Sequence, residues 1–325
     1  VFLTTSCTDA LEMAAILLDI HQGDEIIIPS YTFVSTANAF ILRGATIRFA
    51  DSHLQHPGID EDNIETLITP NTKAIVVVHY AGIACDMDKI IALAEKYNLF
   101  IIEDAAQAID SFYKGRALGS IGHFATFSFH ETKNIISGEG GMLVINDEQF
   151  IQRAEIIREK GTNRNKFFRG EVDKYNWVDI GSSFLPSEIT AAFLLAQIEQ
   201  MDIIQQKRQM LWNTYYDELQ ILKNKGIILP AIPDFASNNA HAFYLICNNL
   251  KERDALIQHL KTDNIMAVFH YLSLHGSPYF KEKHDGRILP NADKFSDCLI
   301  RLPLYFELTQ KDITDIIVPL VKSFF

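Results

Sequence analysis

Residues 128–134 of this sequence read Ser-Phe-His-Glu-Thr-Lys-Asn, and a glycine-rich turn that reads Ser-Gly-Glu-Gly-Gly follows at residues 137–141. Two apolar segments flank this stretch, Phe124–Phe129 and Met142–Ile145, and both have the length and composition of buried strands. The one lysine between them, Lys133, is therefore predicted to lie in a turn that joins two strands. A lone lysine in a turn is usually a solvated surface residue, so the residues that accompany it decide its interpretation.

An acidic residue follows another predicted strand. The apolar run Leu99–Ile102 leads directly into Glu103-Asp104-Ala105-Ala106-Gln107. A lysine amine forms Schiff bases with aldehydes, and a buried carboxylate is the partner that a protonated pyridine nitrogen needs. We therefore predict a site for pyridoxal 5'-phosphate (PLP), in which Lys133 carries the cofactor and Asp104 keeps its ring nitrogen protonated. Taken singly, this acid could equally be a helix cap or a metal ligand.

Hydroxyl groups near the start of the chain could bind the phosphate of such a cofactor. The run Thr4-Thr5-Ser6-Cys7-Thr8-Asp9 stands before a helical pattern with apolar residues from Leu11 to Leu18. Such a cluster by itself usually only caps a helix. The free amides and the dipole at a helix N-terminus also bind phosphate. Because the acid, the lysine and this cluster occur in one chain, we predict a phosphate site at Ser6-Cys7-Thr8.

Strand-like and helical segments alternate through the first part of the chain. The run Lys73–His79 has the most β-branched residues, which predicts a central parallel strand. The alternation as a whole predicts an α/β fold with a mainly parallel sheet. Ligands bind at the carboxyl ends of the strands in such sheets. We therefore expect four side chains to meet at that edge: Thr8, Phe33, His79 and Asp104.

The second part of the chain has a different pattern. Residues from Ser187 to about Leu222 read as one long helix or as a helix with a break. Separate strand and helix segments follow at Phe243–Cys247, Glu252–Lys261, Met266–Tyr271 and Leu302–Tyr305. They predict a smaller α+β domain over residues 201–325, after a large domain over residues 1–200. The basic stretch at residues 161–170, before the boundary, reads either as a solvated loop or as an anion-binding loop.

The composition is that of an ordinary globular protein of 325 residues. The net charge of −12 argues against general affinity for nucleic acid or anionic membranes. No apolar run approaches the roughly 18 residues of a membrane span, and the first residues have no signal-peptide pattern. The four cysteines show neither a CxxC pair nor metal-ligand spacing, so we predict no metal site and interpret them as reduced thiols of a cytoplasmic protein.

Taken together, these stretches resemble the DegT/DnrJ/EryC1/StrS sugar aminotransferases. The matching stretches are residues 23–25, 29–38, 103–107, 128–130, 133–134 and 138–141. The likeness to members that act on dTDP-linked 4-keto-6-deoxy sugars runs through nearly the whole chain and includes residues 158–164, 167–170, 173–175, 179–183, 266–271, 274–276 and 301–304. The resemblance implies a fold-type I PLP-dependent aminotransferase that moves an amino group from glutamate to a dTDP-sugar. It also implies a homodimer whose active sites are completed by the neighbouring subunit.

Carried over position by position, the resemblance implies roles for individual residues. Lys133 would hold the cofactor and transfer the proton, and Asp104 would pair with the pyridine nitrogen. The other cofactor contacts would come from Gln107 near the ring hydroxyl, Phe33 on the ring face, and Thr8, Cys7 and Ser128 at the phosphate. The sugar nucleotide would meet four further residues: His79, His130, Arg164 and Arg169.

Two features depart from the family pattern. Many members place an asparagine of the partner subunit on the cofactor phosphate, whereas the corresponding stretch here is Gly181-Ser182-Ser183-Phe184-Leu185. Either Ser182 or Ser183 substitutes for that asparagine, or the contact is absent. Relatives also extend further upstream with an arm that helps to shape the active site. Because this sequence starts abruptly at the apolar run Val1-Phe2-Leu3, we expect that residues precede it.

The sequence is also compatible with other functions. A sibling enzyme could use another position of the sugar, such as a 3-aminotransferase, or a GDP-sugar. A PLP-dependent sugar dehydratase is less favoured, because that branch of the family replaces the lysine with histidine and Lys133 is present. A non-catalytic regulator or scaffold with the same fold would not need the set of Lys133, Asp104 and Gln107.

Overall fold

The structure, a computed structural model, describes the whole chain from Val1 to Phe325. Its strands are β1 (Phe2–Thr4), β2 (Glu25–Pro29), β3 (Thr46–Ala50), β4 (Thr72–Val78), β5 (Phe100–Asp104), β6 (Phe112–Tyr113), β7 (Arg116–Ala117), β8 (Phe124–Ser128), β9 (Gly141–Ile145), β10 (Phe243–Ile246) and β11 (Leu299–Leu302). Its α-helices are α1 (Cys7–Leu17), α2 (Val34–Ile41), α3 (Met87–Tyr97), α4 (Ile151–Arg158), α5 (Arg164–Phe168), α6 (Glu188–Ile198), α7 (Met201–Leu219), α8 (Leu250–Thr262), α9 (Pro290–Cys298) and α10 (Val318–Phe324). None of these helices combines the length and the apolar character that crossing a membrane requires.

Seven strands form one sheet in the order β1-β9-β8-β5-β4-β2-β3. Neighbouring strands from β3 to β8 pair in parallel, whereas β9 and β1 complete one edge as antiparallel strands. This mixed α/β architecture with a mainly parallel sheet confirms the predicted fold class. The predicted strand Lys73–His79 corresponds to β4, which ends one residue earlier, at Val78, and lies between two parallel neighbours, as its β-branched composition predicts.

Helices cover both faces of this sheet, which explains why the central strands β2, β4 and β5 have continuous apolar runs instead of alternating with polar residues. Along β2, Ile26 and Ile28 pack with residues of α1 and α2 on one face, and Ile27 packs with residues of α3 on the other. Successive side chains of a strand point to opposite faces. The same alternation places Glu103 and Asp104, which are adjacent at the end of β5, on opposite faces of the sheet.

The C-terminal part of the chain has an apolar cluster of its own, with members from Leu211 to Val321. Strands β10 and β11 pair antiparallel within it, with Phe243 opposite Leu302. The helical pattern that begins at Ser187 forms two helices, α6 and α7, separated at Glu199 and Gln200. The division of the chain into two domains near residue 200 stays a prediction.

Three segments differ from their sequence-based prediction. Residues 266–271 form no ladder and pair only through one bridge, between Val268 and Arg301. Strand β11 ends at Leu302, where the predicted segment begins, because Pro303 has no amide hydrogen to continue the pairing. The basic stretch at residues 161–170, predicted as a loop, contains the short helix α5.

Gly141 brings the first turn of α1 close to the sheet. It pairs with Thr4 of β1 and with Ser128 of β8. A Cβ atom at this position would overlap the backbone of Ser6 and Cys7, so only glycine allows this approach. The N-terminus of α1 therefore lies next to the carboxyl end of β8.

We expect the substitution Gly141→Ala to lower the free energy of unfolding by about 1–3 kcal/mol, because the overlapping atoms belong to the backbone and cannot turn aside. Equilibrium urea unfolding followed by circular dichroism measures the change. Gly276→Ala is the matched control, since a Cβ at Gly276 would meet no atom within 4 Å. Equal stability of the two variants would contradict this account of the α1 contact.

Candidate active site

A cavity of about 570 Å³ opens at the carboxyl ends of the parallel strands. The last residues of three neighbouring strands line it: Val78 of β4, Asp104 of β5 and Ser128 of β8. Other predicted site residues that line it are Lys133, Gln107, Thr8, Cys7, Phe33 and His130. The structure therefore brings together residues that are spread over more than 120 positions of the sequence, from Thr8 to Lys133.

Lys133 lies in the connection between β8 and β9, where the sequence predicts it. Its amide donates to the carbonyl of His130 at 2.9 Å. Burial lowers the pKa of the Lys133 amine. The Asp104 carboxylate acts in the opposite direction but does not offset the burial. A larger fraction of this amine is therefore neutral and nucleophilic at neutral pH than of a solvated lysine.

Asp104 ends β5 and is nearly inaccessible to solvent. Its Oδ2 accepts a hydrogen bond from Thr36 Oγ1 at 2.7 Å, and its Oδ1 accepts one from the amide of Ala106 at 3.2 Å. Burial raises the pKa of Asp104, although both hydrogen bonds favour the ionised form. A cationic group in the cavity would offset this effect, so the site favours a protonated nitrogen over a neutral one.

The N-terminus of α1 presents unpaired amides to the cavity. Ser6 is the N-cap, and its Oγ accepts from the amide of Asp9 at 3.0 Å. The first hydrogen bond of the helix runs from the amide of Ala10 to the Ser6 carbonyl, at 3.2 Å. The amides of Cys7 and Thr8 therefore have no partner within the helix. Burial raises the pKa of the Cys7 thiol, so it adds no negative charge. This helix end can therefore bind an anion.

Gln107 is fixed at both ends of its amide. Its Oε1 accepts from the amide of Ala81 at 2.6 Å, and its Nε2 donates to the hydroxyl of Tyr271 at 2.9 Å. Burial raises the pKa of Tyr271, which keeps the phenol neutral. Gln107 therefore joins the end of β5 to a cavity residue from the C-terminal part of the chain.

Phe33 and His130 are partly exposed residues of the cavity. Phe33 is 54% exposed, and its ring centroid lies 6.1 Å from that of Tyr271. A partly exposed aromatic ring of this kind can stack on a planar ligand. The Nδ1 atom of His130 lies 3.0 Å from Thr132 Oγ1, and its Nε2 lies 3.5 Å from a carboxylate oxygen of Glu139.

Four residues from the C-terminal part of the chain complete the cavity wall: His241, His270, Tyr271 and Arg301. The sequence alone does not indicate that they belong to the site, although three of them lie in stretches that carry the family likeness. The one local signal for Arg301 is a charge inside an apolar run at residues 299–304, where a buried strand would exclude it. No local pattern indicates that these residues return to the edge of the parallel sheet.

The structure corrects the prediction for His79. Its side chain is fully buried and does not line the cavity. Its Nε2 lies 3.0 Å from Glu103 Oε2, and its Nδ1 accepts from the amide of Cys85 at 3.3 Å. Because strand side chains alternate, His79 and Glu103 share one face of the sheet, while Val78 and Asp104 share the other. The prediction that His79 faces the sugar nucleotide is therefore wrong.

Glu103 accepts four hydrogen bonds behind the cavity. Its Oε2 accepts from His79 Nε2 at 3.0 Å and from the amide of Gly119 at 2.8 Å. Its Oε1 accepts from the amides of Ile121 and Gly122 at 2.8 and 2.7 Å. Burial would raise the pKa of Glu103, but these donors outweigh it and hold the pKa below its ordinary value. The carboxylate therefore anchors the turn at residues 119–122 to the end of β5.

Four of the residues predicted to make partner or nucleotide contacts lie outside this cavity, whereas His130 lines it. Ser182, Ser183, Arg164 and Arg169 are all exposed on the surface of the chain. Arg169 donates to the Glu155 carboxylate at 3.0 Å. Because the sequence assigned Ser182 and Ser183 to the site of a neighbouring subunit, their contacts stay a prediction, as do those of the two arginines.

The sequence matches a known family along almost its whole length. The model of the DegT/DnrJ/EryC1/StrS aminotransferase family matches residues 1–321. The spore coat polysaccharide biosynthesis protein SpsC of Bacillus subtilis is 35% identical over 321 residues, which cover 96% of this chain and 82% of that protein.

Solved structures share the fold. The Spr1654 protein of Streptococcus pneumoniae in its PMP form has a TM-score of 0.92 and 26% identity, over 99% of this chain and 87% of that chain, and it is also solved in a PLP form. DesV of S. venezuelae has a TM-score of 0.90 and 31% identity, over 99% of this chain and 84% of that chain. The similarity therefore includes every element that contributes to the cavity.

We expect Glu103→Gln to lower the free energy of unfolding by about 3 kcal/mol at neutral pH, because an amide NH₂ would face two hydrogen-bond donors. Urea unfolding of the variant and of the exposed control Glu95→Gln measures the difference. Since the pKa of Glu103 is lowered in the folded state, its charge stabilises the fold above the unfolded pKa of about 4.3 and this contribution is lost as the pH falls through the folded value. The difference in the free energy of unfolding between wild type and Glu103→Gln should be constant from neutral pH to about pH 5 and become smaller below that pH. A difference as small as that caused by Glu95→Gln would rule out the anchoring role.

Proposed function

Because the chain belongs to the DegT/DnrJ/EryC1/StrS aminotransferase family, we propose that it transfers an amino group from glutamate to C4 of dTDP-4-keto-6-deoxy-D-glucose, forming dTDP-4-amino-4,6-dideoxy-D-galactose. Aminotransferases of this family are PLP-dependent enzymes of fold type I, as the sequence predicts, and they act on sugars. The observation that carries the proposal is one cavity lined by a desolvated lysine amine, a buried carboxylate and a free helix N-terminus.

The residues of the cavity fit PLP by the chemistry of their donors and acceptors. The N-terminus of α1 and Ser128 suit the phosphate, because free amides and a hydroxyl group donate to its oxygens. Asp104 suits a protonated ring nitrogen, Lys133 suits the aldehyde, and Phe33 suits the face of the ring. Gln107 would lie near the ring hydroxyl. When bound, PLP supplies an electron sink and carries the amino group from one substrate to the other.

The side chains of Lys133 and Asp104 then divide the chemistry. The Lys133 amine, whose pKa is lowered by burial, takes the proton from the α-carbon of glutamate and delivers a proton to C4 of the sugar. The negative charge of Asp104 stabilises the positive charge on the ring nitrogen. Removing such a buried partner costs several kcal/mol, which corresponds to roughly a hundredfold or more in rate.

Arg301 supports glutamate as the amino donor. Arg301 and Lys133 are the two arginine or lysine side chains that line the cavity. The Nε atom of Arg301 is buried and has no hydrogen-bond partner. A guanidinium group binds a carboxylate through two parallel hydrogen bonds, and a dicarboxylate therefore gains a partner here that the overall charge of −12 does not provide.

The identity of the sugar rests on likeness of sequence. Residues 158–164, 179–183 and 301–304 resemble those of the dTDP-4-amino-4,6-dideoxygalactose transaminase of enterobacterial common antigen synthesis. The name of the relative SpsC also refers to polysaccharide biosynthesis. A sibling enzyme with another regiochemistry or with a GDP-sugar is the alternative, and the product of the reaction distinguishes the two.

A second copy of the chain would cover the apolar surface at α6. Only Leu194 of this helix is buried, whereas Ile189 is 83% exposed and Phe193 is 50% exposed. Trp177, a short distance upstream, is 81% exposed. Monomeric proteins seldom expose so many large apolar side chains together. In the sequence, Ser182 and Ser183 lie between Trp177 and α6, and we propose that they contact the phosphate site of the partner subunit in a homodimer.

The reaction is tested by incubating the PLP-loaded protein with glutamate and dTDP-4-keto-6-deoxyglucose and locating the new amine by NMR. We expect an axial amine at C4. The variant Lys133→Ala should lose turnover by at least about a thousandfold and should lose the visible absorbance of the lysine-bound cofactor, while its circular dichroism is unchanged. An equatorial amine at C4, or turnover with a GDP-sugar but not with this sugar, would contradict the proposed reaction, and retained turnover of Lys133→Ala would contradict the role of the lysine.

The homodimer is tested with Phe193→Glu. We expect this charge to weaken dimerisation at least roughly thirtyfold, since a central aromatic anchor contributes about 2 kcal/mol or more, and to lower turnover in parallel. Sedimentation equilibrium over a range of concentrations measures the change. Leu54→Glu is the control, because Leu54 is equally apolar and 67% exposed but lies in the loop after β3. A dimer as strong as that of the control would show that α6 is not the interface.

A further inference from the structure

His241 lines the cavity but has no role in the reaction described so far. It stands before β10 and is 3% exposed, and Lys133 lies close enough to influence its titration. The amide of His241 donates to Asn239 Oδ1 at 3.0 Å, which holds this segment in place. The ring is therefore a fixed part of the wall and not a mobile surface side chain.

Asn134, the neighbour of Lys133, fixes the tautomer of this ring. The Nδ2 of Asn134 donates to Gln205 Oε1 at 2.9 Å and to the backbone carbonyl of Asn239 at 2.8 Å. Because a backbone carbonyl can only accept, the amide of Asn134 has one orientation, with its Oδ1 at 2.8 Å from Nδ1 of His241. An amide oxygen also only accepts, so Nδ1 of the histidine carries the hydrogen.

The surroundings keep the ring neutral. Burial holds the pKa of His241 well below its ordinary value. The positive charges of Lys133, Arg301 and Arg208 act in the same direction. A neutral ring with its hydrogen on Nδ1 has a lone pair on Nε2. The hydrogen bonds of His241 involve its carbonyl, its amide and Nδ1, but not Nε2. Nε2 is therefore a hydrogen-bond acceptor that is available to a molecule in the cavity.

The two substrates of the proposed function differ in what they offer to such an acceptor. The amino group of glutamate is the group that reacts, and its carboxylates only accept hydrogen bonds, whereas a sugar carries hydroxyl groups that donate. We propose that His241 binds the sugar substrate by accepting, at Nε2, a hydrogen bond from one of its hydroxyl groups. This assignment rests on the proposed function and deepens it: Arg301 binds the amino donor, His241 binds the sugar, and Lys133 serves both half-reactions.

The test measures the two half-reactions of the holoenzyme separately. Stopped-flow absorbance follows the reaction with glutamate alone, and then the reaction of the aminated enzyme with dTDP-4-keto-6-deoxyglucose. His241→Phe keeps an aromatic ring and removes the acceptor, and His241→Gln restores an acceptor oxygen. We expect His241→Phe to lower kcat/KM for the sugar about tenfold to a hundredfold, to affect the glutamate half-reaction much less, and His241→Gln to regain part of the loss.

Different outcomes of this experiment bear on the role of His241 and on the identity of the substrate. His21→Phe is the matched control, because the side chain of His21 is 70% exposed and lies outside the cavity. Equal losses in both half-reactions, or an unchanged reaction with the sugar, would overturn the role of His241. A wild-type protein that reacts with glutamate but not with this sugar would instead overturn the proposed substrate.

A second measurement on the PLP-loaded protein does not depend on turnover. In ¹⁵N-histidine NMR spectra, the resonances that disappear in His241→Phe belong to this ring. We expect a protonated Nδ1, an unprotonated Nε2 and no titration between about pH 6 and 8. A ring that titrates in this range, or that carries its hydrogen on Nε2, would overturn the assignment whatever the sugar substrate is.

Discussion

The site depends on removing one amine and one carboxylate from water at the ends of two neighbouring strands. Asp104 ends β5, and Lys133 follows β8, which pairs with β5 in parallel. Burial lowers the pKa of the lysine and raises that of the aspartate, so the charged form of each group is less favoured than it is in water. A ligand with an aldehyde and a protonated ring nitrogen satisfies both groups together, which explains why the cavity suits PLP.

Because side chains alternate along a strand, the adjacent acids Glu103 and Asp104 of β5 lie on opposite faces of the sheet and have different roles. Glu103 points away from the cavity and is saturated by four donors, so it stabilises the turn at residues 119–122. Asp104 points into the cavity and keeps the capacity to pair with a cation. Gly141 also shapes this edge of the sheet, because it lets the N-terminus of α1 approach the end of β8. The packing behind the cavity thus holds the reactive groups in place.

The remaining wall of the cavity comes from the C-terminal part of the chain, and it differs in chemistry from the strand edge. Arg301 presents a cation, and His241 presents a neutral acceptor whose tautomer is held by Asn134. A carboxylate and a hydroxyl group have opposite requirements, since the first accepts and the second can donate. Two substrates that enter in turn can therefore be distinguished by separate groups in one cavity, without a change of fold.

The sequence by itself determined the α/β class, the parallel sheet, and the positions of Lys133, Asp104 and the first turn of α1, because each depends on local patterns of strands, turns and caps. The tertiary structure decided which face each side chain occupies. His79 and Val78 are adjacent, yet only Val78 reaches the cavity, and a shift of one residue in the register of β4 would reverse them. It also decided that His241 and Arg301 return to the strand edge, since contacts across such sequence distances leave no local pattern. The physical reason is that periodicity records how a segment is buried but not which partner buries it.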